Sequence, residues 1–172
     1  MSTGKRYVLD ANVFIQASRN YYSFELCPGF WKALLLGHEQ KRIFCIDQVK
    51  AEIIAKDDRL KTWVTDEVPA TFFKKTADIK VASAYQSMLM WVQAQSQFTP
   101  AAKTEFATVA DGWVLAFARA YGYVIVTHEE YAPEAKKKVP MPNVCVEFNV
   151  AYVNTFEMLN ELKLQFVLGK NR

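Results

Sequence analysis

The stretch that decides the fold is Arg6-Tyr7-Val8-Leu9-Asp10-Ala11-Asn12-Val13-Phe14-Ile15. It is a short apolar run that stops at an aspartate and resumes after an asparagine. A buried parallel strand produces such a run, and its carboxyl end places Asp10 at the sheet edge where open α/β folds bind ligands. Asp10 is therefore the first candidate for chemistry. The structural alternative is that Asp10 or Asn12 caps the following helix.

The composition is that of a globular protein. The chain has 172 residues, of which 51% are hydrophobic and 23% charged, and we expect one domain over residues 1–172 with a sizeable core. No apolar run approaches the ~20 residues that span a bilayer, and the first residues do not resemble a signal peptide. We therefore expect a cytoplasmic protein with no membrane partner. The net charge of +3 permits an anionic partner without requiring one.

Further apolar runs predict additional strands, with helices between them. Residues 43–46 form one run, and residues 123–127 form the most β-branched run of the chain, directly after an apolar helix that ends at Gly122. A last strand is predicted at 151–153, and residues 57–106 are predicted to form helices with breaks at Pro69 and Pro100 and to contain no strand. Strands that alternate with helices favour a three-layer α/β/α fold with a central parallel sheet.

Four acidic residues stand out by their predicted positions. Asp10 and Glu129 lie at or just past strand ends, and Asp111 begins the apolar helix. Glu52 lies three residues after Val49 on the apolar face of the helix that follows the second strand. In a parallel sheet the strand carboxyl ends and the N-termini of the following helices share one edge, so we expect the four carboxylates to converge.

Converging carboxylates predict a metal site. Like charges in a partly dry site raise one another's pKa values unless a cation is present. Oxygen ligands of this kind suit Mg²⁺ or Mn²⁺. A metal held there would orient a phosphodiester, lower the pKa of an attacking water and neutralise charge on the leaving oxygen.

Each acidic position also has a structural explanation. Asp111 is a strong candidate for a helix cap. Glu52 and Lys56 are four residues apart and would pair on a helix surface. Glu129 competes with Glu130 for the position that faces the sheet edge.

Two features beside these residues are ambiguous. The run Lys136-Lys137-Lys138 is typical of a solvated basic loop, although three lysines near a carboxylate edge would also suit a phosphate backbone. His128 adjoins the predicted site, but a single histidine is weak evidence for a ligand.

Taken in order, the motifs resemble those of a PIN-domain ribonuclease. They are Val8-Leu9-Asp10-Ala11-Asn12, then Val49 with Glu52, then Asp111 before an apolar helix, and finally Val126-Thr127-His128-Glu129. Within that superfamily the chain is similar to a PIN-like branch catalogued as a domain of unknown function. The block Pro142-Asn143-Val144-Cys145 is similar to the C-terminal block of that branch. The resemblance covers the chain from Tyr7 to about Leu162.

The resemblance implies a function as well as a fold. It implies a toxin of the VapC kind, which is an endoribonuclease that depends on Mg²⁺ or Mn²⁺ and leaves 5′-phosphate and 3′-hydroxyl ends. The attacking group would be a metal-activated water. Members of this branch are often paired with a cognate antitoxin, and such toxins usually form homodimers.

The resemblance also implies roles for individual residues. Asp10, Glu52 and Asp111 would be metal ligands. Glu129 would be a fourth ligand where the family usually has an aspartate, and its longer side chain would reach the metal differently or through water. Asn12 and Thr127 match polar positions that orient the first carboxylate, a metal water or the scissile phosphate.

Two other functions compete with this interpretation. The departure at Glu129 favours a catalytically inactive PIN-like module that only binds RNA or protein. A haloacid-dehalogenase-like phosphatase would use the aspartate after the first strand as its nucleophile. Asn12 argues against a phosphatase, because the general acid at that position is normally a second aspartate.

Overall fold

The computed structural model describes residues 4–170, so residues 1–3 of the N-terminal segment and residues 171–172 lie outside the described part. Its centre is a five-stranded sheet in the order β3-β2-β1-β4-β5, and every neighbouring pair is parallel. The strands are β1 (Tyr7–Leu9), β2 (Ile43–Ile46), β3 (Phe73–Lys74), β4 (Val124–Val126) and β5 (Tyr152–Val153).

Helices flank this sheet and connect its strands. They are α1 (Ala11–Arg19), α2 (Pro28–Glu39), α3 (Asp47–Ile54), α4 (Arg59–Asp66), α5 (Ile79–Ala94), α6 (Pro100–Thr108), α7 (Asp111–Tyr121), α8 (Met141–Phe148) and α9 (Thr155–Glu161). The predicted three-layer α/β/α arrangement with a central parallel sheet is therefore confirmed. Between residues 4 and 170, no helix has the length and apolar character needed to cross a membrane.

The inner strands are apolar because helices cover both faces of the sheet. All three residues of β1 and all four of β2 are buried. Parallel strands covered on both faces form continuous apolar runs rather than alternating ones, and this is the pattern of Tyr7–Leu9 and Ile43–Ile46.

The strand order reverses beside β1. The chain runs from β1 outward through β2 to β3, and then returns to place β4 and β5 on the other side of β1. Leu9 is level with Val126 in the pairing of β1 with β4, so the residues that follow these two strands lie side by side. A crevice at such a reversal is the usual ligand site of open α/β sheets.

Two elements were missing from the sequence prediction. Residues 57–106 do contain a strand, since Phe73 and Lys74 form the edge strand β3. A strand of two residues is too short to produce a recognisable alternation. Helix α8 follows Pro140 and has a proline in its first turn, a position that a helix tolerates although the local sequence suggests a loop.

The second strand leads directly into α3. Ile46 is the N-cap residue of α3, and Asp47 is the first residue of the helix. The Asp47 carboxylate accepts a hydrogen bond of 2.8 Å from the Thr76 hydroxyl and one of 3.2 Å from the Thr76 backbone N–H. Asp47 thereby ties α3 to the segment after β3.

Candidate active site at the carboxyl edge of the sheet

Asp10 follows β1 and occupies the N-cap position of α1, yet its side chain makes no capping hydrogen bond to that helix. It is only 1% exposed. The Thr127 hydroxyl, at the end of β4, donates a hydrogen bond of 3.2 Å to Asp10 Oδ2. The carboxylate is therefore directed toward the neighbouring strand rather than used as a helix cap.

Burial governs the ionisation of Asp10. Burial and the charge of Glu129 raise the pKa of Asp10 to about 6, against the opposing effects of the Thr127 hydroxyl, the Asn12 backbone amide and Lys138. Carboxyl groups are rarely placed in such surroundings without a partner, since the charged form loses its hydration. A cation that binds beside Asp10 would therefore stabilise its ionised form.

Asp111 is a second carboxyl group whose pKa is raised by its surroundings. It is the first residue of α7, where Ala110 is the N-cap residue, and its side chain does not cap the helix. Burial, followed by the charges of Asp10 and Glu129, raises the pKa of Asp111 to about 7. The charge of Asp10 therefore acts on Asp111 at the carboxyl edge of the sheet.

Glu52 reaches this crevice from α3. Its Oε1 atom accepts a hydrogen bond of 2.8 Å from the backbone N–H of Ala110, the residue before Asp111. Glu52 is exposed, yet it lines the same cleft as Asp10 and Asp111. The ion pairs found between residues 4 and 170 do not include one between Glu52 and Lys56. Glu52 thus fixes the start of α7.

Both carboxylate oxygens of Glu129 accept hydrogen bonds. Its Oε2 atom accepts a hydrogen bond of 2.7 Å from the Met141 backbone N–H, and its Oε1 atom accepts one from the Lys138 ammonium. The side chain of Glu129 is only 13% exposed. Glu130, by contrast, is exposed, so Glu129 is the member of the pair whose charge acts on Asp10.

Lys138 is a site residue that the sequence reasoning did not single out. Burial favours its neutral form, but the hydrogen bond to Glu129 and the charges of Glu129, Asp111 and Asp10 together raise the pKa of Lys138. It is therefore cationic at neutral pH. The run of three lysines was the only sequence signal, and it does not distinguish Lys138 from Lys136 and Lys137.

These side chains enclose a small cleft of about 180 Å³. Its polar lining includes Asp10, Asn12, Glu52, Asp111 and Lys138, and its apolar lining includes Ile15, Ala102, Phe106, Val109 and Val139. Of the other predicted site residues, Thr127 bonds to Asp10 and Glu129 bonds to Lys138. The six predicted residues thus lie in the cleft or hydrogen-bond to a side chain that lines it.

The donor set fits a hard divalent cation held by few protein ligands. Among residues 4–170, no group of three or more Asp, Glu, His or Cys side chains is placed to hold a metal ion as it stands. However, the buried Asp10 and the partly buried Asp111 line the same cleft, and burial together with nearby carboxylate charge raises the pKa of both. Mg²⁺ commonly uses one or two carboxylates and keeps several waters, so these two residues fit Mg²⁺ or Mn²⁺.

A comparison with protein-family models shows the family of the chain. The model described as "Domain of unknown function (DUF4411)" matches residues 7–166. The chain belongs to the DUF4411 family. The matched range contains all of the cleft residues of this DUF4411 protein, from Asp10 to Val139.

Solved structures support the fold of this DUF4411 protein. FitAcB from Neisseria gonorrhoeae is similar with a TM-score of 0.53 and 14% sequence identity, over 87% of this chain and 98% of the other. At this identity the comparison shows the fold alone, and that fold is consistent with a PIN-like domain. None of the curated proteins matches the DUF4411 chain significantly.

His128 of this DUF4411 protein is not among the residues that line the acidic cleft. Its Nε2 atom hydrogen-bonds to the Thr155 hydroxyl at 2.8 Å, and burial lowers the pKa of His128. The contact joins the end of β4 to the start of α9. His128 therefore has a structural role here.

Proposed function

We propose that this protein is a metal-dependent endoribonuclease and the toxin of a toxin–antitoxin pair. The observation that carries the proposal is the buried Asp10 and the partly buried Asp111, which line one cleft at the point where the strand order reverses. Burial and nearby carboxylate charge raise the pKa of Asp10 to about 6 and that of Asp111 to about 7, so a divalent cation would be attracted strongly.

Asp10 and Asp111 would hold Mg²⁺ or Mn²⁺, and Glu52 and Glu129 would act on it directly or through water. When bound, such an ion supplies a more acidic water and neutralises charge on phosphate oxygens. Hydrolysis adds the water oxygen to phosphorus, breaks the P–O3′ bond and passes a proton to the 3′ oxygen. The products are a 5′-phosphate and a 3′-hydroxyl.

The other residues of the chain position these groups. The Thr127 hydroxyl donates a hydrogen bond to the Asp10 carboxylate and orients it. Glu52 accepts a hydrogen bond from the backbone N–H of Ala110, next to Asp111. Asn12 is half-buried in the cleft, where its side-chain amide can donate to a phosphate oxygen. None of these residues acts as a nucleophile, so catalysis would rest on geometry and charge.

The choice of RNA and the toxin role rest on resemblance. The ordered motifs resemble those of PIN-domain ribonucleases, and the similarity of fold to FitAcB agrees with that family. On the same basis we propose that a cognate antitoxin binds the protein and that the toxin forms a homodimer.

RNA cleavage with Mg²⁺ or Mn²⁺ tests the activity. We expect cleavage by the wild type and its loss in Asp10→Asn and Asp111→Asn. Asp57→Asn is the matched control, because Asp57 lies in the loop between α3 and α4 and its side chain is 98% exposed. Undiminished cleavage by folded Asp10 and Asp111 variants would refute the proposal. Turnover of p-nitrophenyl phosphate would favour the phosphatase alternative instead.

A catalytically inactive binding module is the second candidate. It is favoured by the contacts of Glu129, because Lys138 and the Met141 N–H already donate to its two carboxylate oxygens. Calorimetric titration with Mn²⁺ separates the two functions. Heat of binding that disappears in Asp10→Asn supports the enzyme, whereas a wild-type protein that binds no Mn²⁺ supports the binding module.

A further inference from the structure

The segment between β4 and α8 has no helix or strand, yet it is tied to the body of the protein. The Gln97 side-chain amide donates hydrogen bonds of 3.0 Å to the Pro133 carbonyl and 2.8 Å to the Ala135 carbonyl. The Thr99 backbone N–H donates one of 2.9 Å to the Lys136 carbonyl. These contacts attach the segment to the start of α6.

The same segment is also fastened to α8. The Ala132 N–H donates a hydrogen bond of 3.0 Å to Asn143 Oδ1, and Asn143 Nδ2 returns one of 2.8 Å to the Ala132 carbonyl. Glu129 accepts from the Met141 N–H at the start of the helix. A loop fixed at so many points can present one side chain in a defined position.

Lys138 is the side chain that this loop presents to the site. It is the one basic residue among the described residues that line the acidic cleft. Lys136 and Lys137 are exposed and line no part of that cleft. The three lysines are adjacent in sequence, so this difference arises from the anchoring of the loop.

Stability alone does not explain the pair formed by Lys138 and Glu129. The lysine side chain is 50% exposed, and ion pairs at exposed positions contribute only about 0–1 kcal/mol. Glu129 is already held by Met141, so its position does not depend on the lysine. An ammonium group has three donors, and Glu129 occupies one of them. The others are available to a ligand in the cleft.

We propose that Lys138 binds a non-bridging oxygen of the RNA phosphate at the cleft, and that Glu129 is the positioning residue that aims its ammonium group. This inference rests on the proposed function. A lysine is a compact point charge, which suits a phosphate group. Its cation would offset the repulsion between an incoming phosphate and the carboxylates of Asp10 and Asp111.

RNA binding without metal tests the role of Lys138 separately from catalysis. Fluorescence anisotropy with a labelled single-stranded oligouridine, in EDTA and at several salt concentrations, reports affinity while cleavage is suppressed. Lys138→Met should weaken binding roughly 5- to 10-fold and reduce the slope of log affinity against log salt by about 0.7, the value for one phosphate contact on a single strand.

Matched variants on the same loop serve as controls. Lys137→Met removes the same charge one residue away and should change affinity less than about twofold, since it makes no contact in the cleft. Lys138→Arg should restore part of the affinity, because it keeps the charge. Lys138→Gln is a second neutral variant, and circular dichroism melts verify that each protein is folded.

A double-mutant cycle tests the role of Glu129. Loss of a negative charge would by itself increase RNA affinity, whereas loss of the group that aims Lys138 should decrease it. We expect Glu129→Gln to weaken binding, and to have little further effect once Lys138→Met is present. Tighter binding by Glu129→Gln overturns the positioning role.

The outcomes distinguish this inference from the proposed function. Equal losses in Lys138→Met and Lys137→Met overturn the inference, and wild-type cleavage with Mg²⁺ would then leave the proposed function standing. If no variant binds RNA and the wild type does not cleave it, both are overturned.

Discussion

The Thr127 hydroxyl donates a hydrogen bond of 3.2 Å to Asp10 Oδ2, and this contact joins the carboxyl ends of β4 and β1. The same hydroxyl oxygen accepts a hydrogen bond of 3.2 Å from the Glu129 backbone N–H. Thr127 is 1% exposed, so solvent does not compete for these bonds. One side chain therefore fixes the orientation of the Asp10 carboxylate and the start of the anchored loop.

We expect Thr127→Val to impair catalysis without unfolding the protein. Valine has a similar shape but leaves Asp10 without its donor, and loss of such a supporting contact typically costs roughly 10- to 100-fold in metal affinity or activity. The pKa of Asp10 should rise further, because the hydroxyl group lowers it. The measurement is the pH dependence of RNA cleavage, which should shift to higher pH. Thr127→Ser, which keeps the hydroxyl, should behave like the wild type.

Metal-free protein should lose stability as the pH rises from about 4 to 7. Asp10 and Asp111 have folded-state pKa values of about 6 and 7, above the value of 3.8 expected in the unfolded chain. The folded state therefore binds more protons than the unfolded state in this window, and stability falls as those protons leave. At 1.4 kcal/mol per pKa unit, pKa values of about 6 and 7 against 3.8 correspond to a loss of at most about 7 kcal/mol.

Urea unfolding in EDTA, at pH 5 and pH 8, measures this effect. Asp111→Asn should be more stable than the wild type at pH 8, and the difference should be smaller at pH 5, since the amide cannot ionise. Asp57→Asn should show neither difference. The prediction would be contradicted if the wild type were more stable at pH 8 than at pH 5 and Asp111→Asn showed the same dependence on pH.

Added Mg²⁺ or Mn²⁺ should oppose this loss of stability at high pH. A cation that binds the folded state between Asp10 and Asp111 stabilises it by about 2.7 kcal/mol at a concentration of 100 Kd. The gain should be larger at pH 8 than at pH 5, because protons compete with the metal at the lower pH. Thermal shift assays with and without EDTA test this. A similar gain in Asp10→Asn would locate the cation elsewhere.

Glu52 should separate a positioning role from a metal role. Glu52→Gln keeps an oxygen that can accept the hydrogen bond from Ala110 but removes the charge. We expect it to preserve the melting temperature and to weaken Mn²⁺ binding roughly tenfold. Glu52→Ala should also lower stability by about 1 kcal/mol, through the lost hydrogen bond at the start of α7.

Lys56→Met is the control for these two variants, because Lys56 follows Glu52 at the spacing of a surface pair. It should leave both the melting temperature and the Mn²⁺ affinity unchanged. If Glu52→Gln binds Mn²⁺ as tightly as the wild type, Glu52 only positions the backbone of Asp111.

The amino-acid sequence was sufficient to locate the strands and helices that carry the acidic residues. Tyr7–Leu9 is a continuous apolar run, and Asp10 follows it where the strand reaches the edge of the sheet. Likewise, Gly122 ends α7 with a left-handed φ of 68° immediately before β4. These signals are local, since they depend on apolar periodicity and on the conformational preferences of single residues.

Only the tertiary structure decided which side chains meet at that edge. The register that sets Leu9 beside Val126 brings Thr127 to Asp10, residues that are 117 positions apart in the chain. Lys138 enters the cleft while Lys137 does not, because distant residues such as Gln97 anchor the loop. Strand register and loop anchoring are long-range contacts that no local pattern encodes. Asp10 and Thr127 were therefore recognisable from the sequence as candidate site residues, whereas Lys138 acquired its place in the cleft through packing.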